Sequence, residues 1–357
     1  MIFLQINKIL KLITAQRLQT SYISGLDDLN IIESAEGTRT IFVLNSSLAK
    51  ALLKSKQIAV YNFLSQTIDL YGQQHLPILK NISSVFPIFL DGKAHSGIRR
   101  SFNKMLLECQ GDSLKLFKAN LRDILKINIK NEIIEVNSLA SLISKAAMES
   151  ILQSISPERL FFDPGFDYEK VDFFNTFPTK SAVHKTEKAL RSFCKNMQFD
   201  SDIKTVLALS IATMGYMPLK GMLAAYLNEF MQNPNEISEL SFSNVVPTNF
   251  VMRKVLKDCC FKFIDRGGDN SSITFFSNDV VYIFLGDGTS CPFTSLNTLP
   301  FGAGKHICPG KSISEEFLRI TSDEIKQHAT LNSILFHERV KRAEVYREKS
   351  SAFLRYH

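Results

Sequence analysis

Pro300-Phe301-Gly302-Ala303-Gly304-Lys305-His306-Ile307-Cys308-Pro309-Gly310 is the stretch on which the reading of this chain turns. Its three glycines let the backbone turn tightly and come close to a flat ring. Backbone N–H groups aimed at the Cys308 sulfur would tune its electron donation. Phe301 can shield that sulfur from water, and His306 can meet a carboxylate. A helix predicted to open just after Pro309 sets the positive end of its dipole beside the thiolate. These are the parts that a thiolate-bound haem needs, with Cys308 as the iron ligand. The plainer alternative is a Gly-rich turn around a structural cysteine. A phosphate-binding loop is excluded: Gly310-Lys311-Ser312 mimics its end, but the motif needs a glycine where Lys305 stands, and Pro309 removes an N–H from the cradle.

Working outward, 357 residues suffice for one large core, 45% are hydrophobic and 22% charged, and 28 Phe with no Trp make the aromatic core mostly Phe. The net charge of +7 is scattered, with no run of five Lys/Arg, which argues against a nucleic-acid partner. The six cysteines form no CxxC and have no zinc-finger spacing with His. Residues 1–18 read as an amphipathic helix interrupted by Asn7, Lys8, Lys11 and Arg17, too polar for a membrane span and without a cleavage site. The expectation is a cytoplasmic chain with no transmembrane segment.

No repeat, low-complexity tract or linker is apparent, so residues 1–357 are expected to form a single domain. A strand is predicted over 40–44, followed by a helix capped by Asn45. Apolar spacing predicts helices over 113–129 and 137–155, and a long one from Lys204 to Gln232 broken at Pro218. Strands are predicted over 272–276 and 280–285, then a helix to about Gln327 and a tail that can form a hairpin. The class is α+β, mainly α, with a small β part late in sequence.

The pattern F-G-x-G-x-H-x-C-x-G over Phe301–Gly310 resembles the signature loop of the cytochromes P-450. Asp91-Gly92-Lys93-Ala94-His95-Ser96-Gly97-Ile98-Arg99-Arg100 resembles that family's D-G-x-x-H-x-x-x-R-R helix start. His95 and Arg99 share one helix face and can clamp a carboxylate. Pro247, Arg253 and Asp258 resemble its Pro, strand Arg and Asp. The long helix, counted back from Asn233-Pro234, resembles the one that crosses above the haem.

The resemblance implies heme b with Cys308 as axial ligand. His95, Arg99, Arg253 and His306 would meet the propionates, Phe301, Gly302 and Gly310 would shape the loop, and Gly215 would be the small residue beside the ring. It also implies a monooxygenase that oxidises a small organic substrate with dioxygen and two electrons from a ferredoxin or flavoprotein reductase. Lys305, Lys311, Arg100 and Lys104 would form a basic docking face.

Two departures bear on mechanism. Met217 and Pro218 stand where the family places an acid and a Thr that relay protons, and neither can donate one. A kink at Pro218 can hold an ordered water that takes over, or substrate groups can supply the proton. The E-x-x-R pair is also missing: Phe242 follows Glu239 at the Arg position. Peroxygenase, rearrangement or dehydration chemistry would not need the first pair. A non-catalytic relative that binds a partner is the alternative outside enzymes. Substrate loops are expected around 72–90 and 160–200.

Overall fold

The computed structural model describes residues 28–33, 37, 39–129, 133–155, 168, 180–197, 203–232, 250–265, 267–285, 299, 301–328, 335–337 and 353–355. The expected helix over 1–18 and the Glu239–Phe242 pair lie outside these residues.

In chain order the elements are β1 (Leu29–Glu33), β2 (Arg39–Val43), α1 (Ser46–Lys54), β3 (Ile58–Val60), α2 (Phe63–Tyr71), α3 (Pro77–Val85), α4 (Gly92–Ile129), β4 (Ile133–Glu135), α5 (Val136–Ile155) and α6 (Lys180–Met197). Then come α7 (Ile203–Met214), α8 (Tyr216–Gln232), β5 (Phe250–Val255), β6 (Cys259–Ile264), β7 (Asn270–Phe275), β8 (Val280–Phe284), α9 (Lys311–His328), β9 (Leu335–His337) and β10 (Phe353–Arg355). The expected mainly helical α+β layout holds. The chain divides into two compact units, one of 1–63 with 240–308 and one of 64–239 with 309–357.

The first unit is built on a five-stranded sheet in the order β1-β2-β8-β5-β3. β2 and β8 run parallel with Thr40 opposite Val280, and the other neighbours are antiparallel. β-branched and aromatic residues make these strands, and alternate ones point into the core. Ile41, Val43, Val281 and Ile283 are buried with Leu48, Leu52 and Leu53 of α1. Asn45 caps α1 as expected, its side chain accepting from the Leu48 N–H at 3.0 Å. β6 and β7 form a separate hairpin turned by Asp265, whose carboxylate accepts from the Gly267 and Asp269 N–H groups.

The second unit is helical, with a three-stranded sheet β4-β10-β9. The tail therefore pairs in part as a hairpin, with Phe353 opposite both His337 and Glu135. α4 is 38 residues long and joins two stretches that sequence separates, the start at Asp91-Gly92 and the periodic run 113–129. α5 packs between α4 and α8. Thr205–Ala224 is, among the described residues, the one stretch long and apolar enough to cross a membrane by length and composition, and 67% of its window is buried within the protein.

The long helix breaks at Gly215, not at Pro218 as expected. Pro218 is the third residue of α8, and the N–H groups of a first turn have no intrahelical acceptor to lose. The Leu219 N–H bonds to the Gly215 carbonyl at 3.2 Å, so the helix runs on through the proline.

Candidate functional site

The cysteine loop hangs from the end of β8. Leu299 donates to the Leu285 carbonyl at 2.8 Å, and Gly302 to that of Leu299 at 2.8 Å. Ala303 is buried in the sheet's core with Leu53. The Cys308 N–H closes the loop on the Phe301 carbonyl at 2.8 Å. Gly302 and Gly304 have φ of 70° and 68°, a region costly for residues with a Cβ. A Cβ at Gly304 would be driven into the Leu53 carbonyl, so this glycine seats the loop on α1. Nothing in sequence pairs Gly304 with Leu53; the contact exists only once the sheet has formed. Gly310 accepts the Ser314 N–H at 2.9 Å and so opens α9.

The loop's root is buried and its tip is open. Cys308 is exposed, while Phe301 and His306 are half-buried. Of the four described cysteines, none of them in a disulfide, Cys109 and Cys259 are buried and their thiols are pushed up chiefly by that burial. They are thus poor sources of thiolate. Among the described residues no group of three His, Cys, Asp or Glu can hold a metal ion. The single exposed thiol of this loop fits a haem, whose ring supplies four nitrogen donors of its own.

Arg253 lies in the same unit, on β5 opposite Val281. It is 8% exposed, which removes the alternative of a solvated surface Arg, and its Nη1 donates to the Met252 carbonyl at 2.8 Å. Asp258 accepts the Ser277 N–H at 2.6 Å, which holds the turn before β8.

The remaining predicted residues belong to the helical unit. His95 and Arg99 occupy the opening turns of α4, His95 3% exposed and Arg99 half-buried. Gly215 sits at the α7–α8 break. A Cβ there would come within 2.7 Å of both the Ile211 carbonyl and the Met148 sulfur of α5, so packing against α5 already demands a glycine. Met217 and Pro218 follow, both half-buried. Tyr216, which sequence reading did not single out, shares a 2.6 Å hydrogen bond with Ser141 of α5 and stacks on Tyr168 with ring centroids 5.0 Å apart. Burial, then the Glu149 carboxylate and Tyr216, push the Tyr168 phenol well above its ordinary range.

Of the expected basic face, Lys104 pairs with Glu108 at 3.8 Å and Lys311 with Glu315 at 3.9 Å, so two of its four cations are met by an acid one turn away.

No protein-family model and no curated protein matches the sequence. Solved structures do match. P450BioI, in complex with an acyl carrier protein ligated with hexadec-9Z-enoic acid, has a TM-score of 0.73 at 14% identity, covering 96% of this chain and 99% of its own. The fold is that of the cytochromes P450. Cytochrome P450epoK bound to epothilone D has a TM-score of 0.66 at 14% identity, covering 94% of this chain and 95% of its own. PksS, the cytochrome P450 of the Bacillus subtilis 168 bacillaene polyketide synthase, has a TM-score of 0.60 at 12% identity, covering 94% and 96%. Of the four stretches that carry the sequence resemblance, the cysteine stretch falls on the loop before α9, the second on the first turns of α4, Arg253 of the third on β5, and the fourth on α7 and α8, while Pro247 lies outside the described residues.

Proposed function

We propose that residues 1–357 form one cytochrome P450 domain that acts as a haem-thiolate monooxygenase on a small organic substrate. The observation that carries this is the Cys308 loop. It is a Gly-shaped hairpin rooted in a core by Ala303, with its single thiol exposed and no cluster of three metal ligands among the described residues to compete for an ion.

A bound heme b would supply dioxygen activation, aided by electron donation from its thiolate. The chain's own residues divide the remaining work. Cys308 would present the sulfur from the loop that leads into α9. With the group bound, Phe301 would shield the sulfur from water. Gly302 and Gly310 would let the backbone come close to the bound ring. His95, Arg99, His306 and Arg253 would supply cations or N–H donors for the two propionates. Gly215, Met217 and Pro218, at the α7–α8 break, would be the residues that the family resemblance sets beside the ring. Tyr216, which precedes Met217 in the chain, carries a hydroxyl held by Ser141.

Three similar folds are named with an acyl carrier protein, epothilone D and a polyketide synthase, which supports a biosynthetic substrate. Two electrons would come from a ferredoxin or a flavoprotein reductase. Four cysteines outside any disulfide among the described residues support a reducing, cytoplasmic setting.

Reconstitution with hemin followed by a carbon monoxide difference spectrum tests the ligand. Wild type should show a thiolate-type Soret band, and Cys308→Ser should lose it entirely. A wild type that binds hemin without that band ends the proposal.

A second reading follows from Met217 and Pro218, which carry no transferable proton. Peroxygenase, rearrangement or dehydration chemistry would not call for one there. Turnover on hydrogen peroxide without reductant or dioxygen would favour it.

A further inference from the structure

Glu324 is a carboxylate with 0% exposure, set between two helices. From α9 it accepts the Arg122 Nε of α4 at 2.8 Å through one oxygen, and meets the Lys118 Nζ at 3.3 Å through the other. Two turns earlier on the same face of α9, Phe317 packs on Phe117 of α4, with ring centroids 4.5 Å apart and both side chains fully buried. A ring contact resists separation but tolerates sliding and rotation. A carboxylate held by two cations does not, because both oxygens have fixed partners. The pair therefore sets the rotation and axial register of α9 on α4. One residue of slip along a helix is about 1.5 Å and about 100°, whereas a metal–ligand distance tolerates about 0.2 Å.

α9 is the helix that Gly310 opens, two residues after Cys308, and α4 is the helix whose first turns carry His95 and Arg99. We infer that Glu324 is a positioning residue: by fastening α9 to α4 it fixes the rotation and axial register of the helix that opens directly after the Cys308 loop, and with it the approach of the sulfur. This rests on the haem-thiolate reading. It assigns to a buried ion pair, far along the chain from the loop, the task of keeping the thiolate in place.

The test compares wild type, Glu324→Gln, Arg122→Gln and Arg122→Lys, each reconstituted with hemin. Folding is checked by far-ultraviolet circular dichroism. The readouts are the fraction showing the thiolate-type Soret band and the rate of haem transfer to apomyoglobin. Glu324→Gln and Arg122→Gln should release haem roughly tenfold faster or more, the lower end of what removing a partner behind a metal ligand costs, and should lose part of the thiolate band. Arg122→Lys, which keeps the charge, should recover most of both. Folded Glu324→Gln with wild-type haem release and band overturns the inference. If Glu324→Gln does not fold, Arg122→Gln, whose side chain is 45% exposed, decides in its place: wild-type release and band in that variant overturn the inference equally. A wild type without the thiolate band refutes the functional reading instead, so the two failures are distinct.

Discussion

Gly302 and Gly304 look alike in sequence and in backbone angle, yet their surroundings differ. Each carries a left-handed φ, so alanine costs about 1–2 kcal/mol at either from the backbone alone. At 302 the nearest foreign atom to a new Cβ is the His306 carbonyl at 3.7 Å, an ordinary contact. At 304 it is the Leu53 backbone, which cannot give way without moving α1. Gly304→Ala should therefore be the more destabilising by a further ~1–3 kcal/mol, the cost of overpacking. Urea unfolding of the two variants checks this, and equal losses would mean that the loop is not seated on α1. The tight turn of the cysteine loop was legible because Gly302 and Gly304 stand where the backbone takes a left-handed φ. The Leu53 contact was not, because it joins positions distant in sequence through tertiary packing alone.

At the scale of elements, the α7–α8 break shows why local signals mislead. Proline is the strongest helix breaker in the stretch, but it stands where a first turn tolerates it, and the break falls on the glycine beside Met148. Pro218→Ala should change stability by less than about 1 kcal/mol, whereas relief of a mid-helix proline would gain about 3 kcal/mol. Gly215→Ala should cost more than about 1 kcal/mol, because the Ile211 carbonyl is backbone. Thermal melts of the pair separate the two accounts.

α3 makes the same point from the other side. Leu76 at its N-cap has no side-chain bond to offer. The cap comes from Glu187 of α6, 3% exposed, whose oxygens accept from the Ile78 and Leu79 N–H groups at 3.2 and 3.0 Å. No local reading could find a cap so far along the chain. Glu187→Ala should lose roughly 3 kcal/mol in denaturant unfolding, since it strands two donors at the start of α3. Asn45, by contrast, was legible because cap and helix are adjacent.

Glu324 adds a pH dependence at this scale. The Arg122 hydrogen bond holds its carboxyl below the usual carboxylate range. A depressed folded pKa means that the ion pair's contribution is complete above the unfolded value of about 4.3 and fades as pH falls towards the folded one. Between those limits wild type should lose stability faster on acidification than Glu324→Gln, measured by urea midpoints at stepped pH. Parallel slopes would deny the pair a role in acid stability.

At the scale of the whole chain, the helical class and its late β part were readable because long apolar periods and Gly-marked turns are strong signals. β1 and β3 were not, being five and three residues long and stabilised only by neighbours across the sheet. Dioxygen-dependent turnover belongs to this scale too. If the monooxygenase reading holds, product should form only with reductant and dioxygen together, and formation on peroxide alone at a comparable rate would shift the assignment to the second reading.

The parallel seam between β2 and β8 has a consequence for biogenesis. Thr40 cannot meet Val280 until most of the polypeptide has left the ribosome. Until then one flank of the β1–β2 hairpin stays unzipped, an adhesive border for other nascent chains. A fragment halted at residue 270 should precipitate or recruit chaperones, while the same fragment supplied with a 271–310 peptide should be rescued in part.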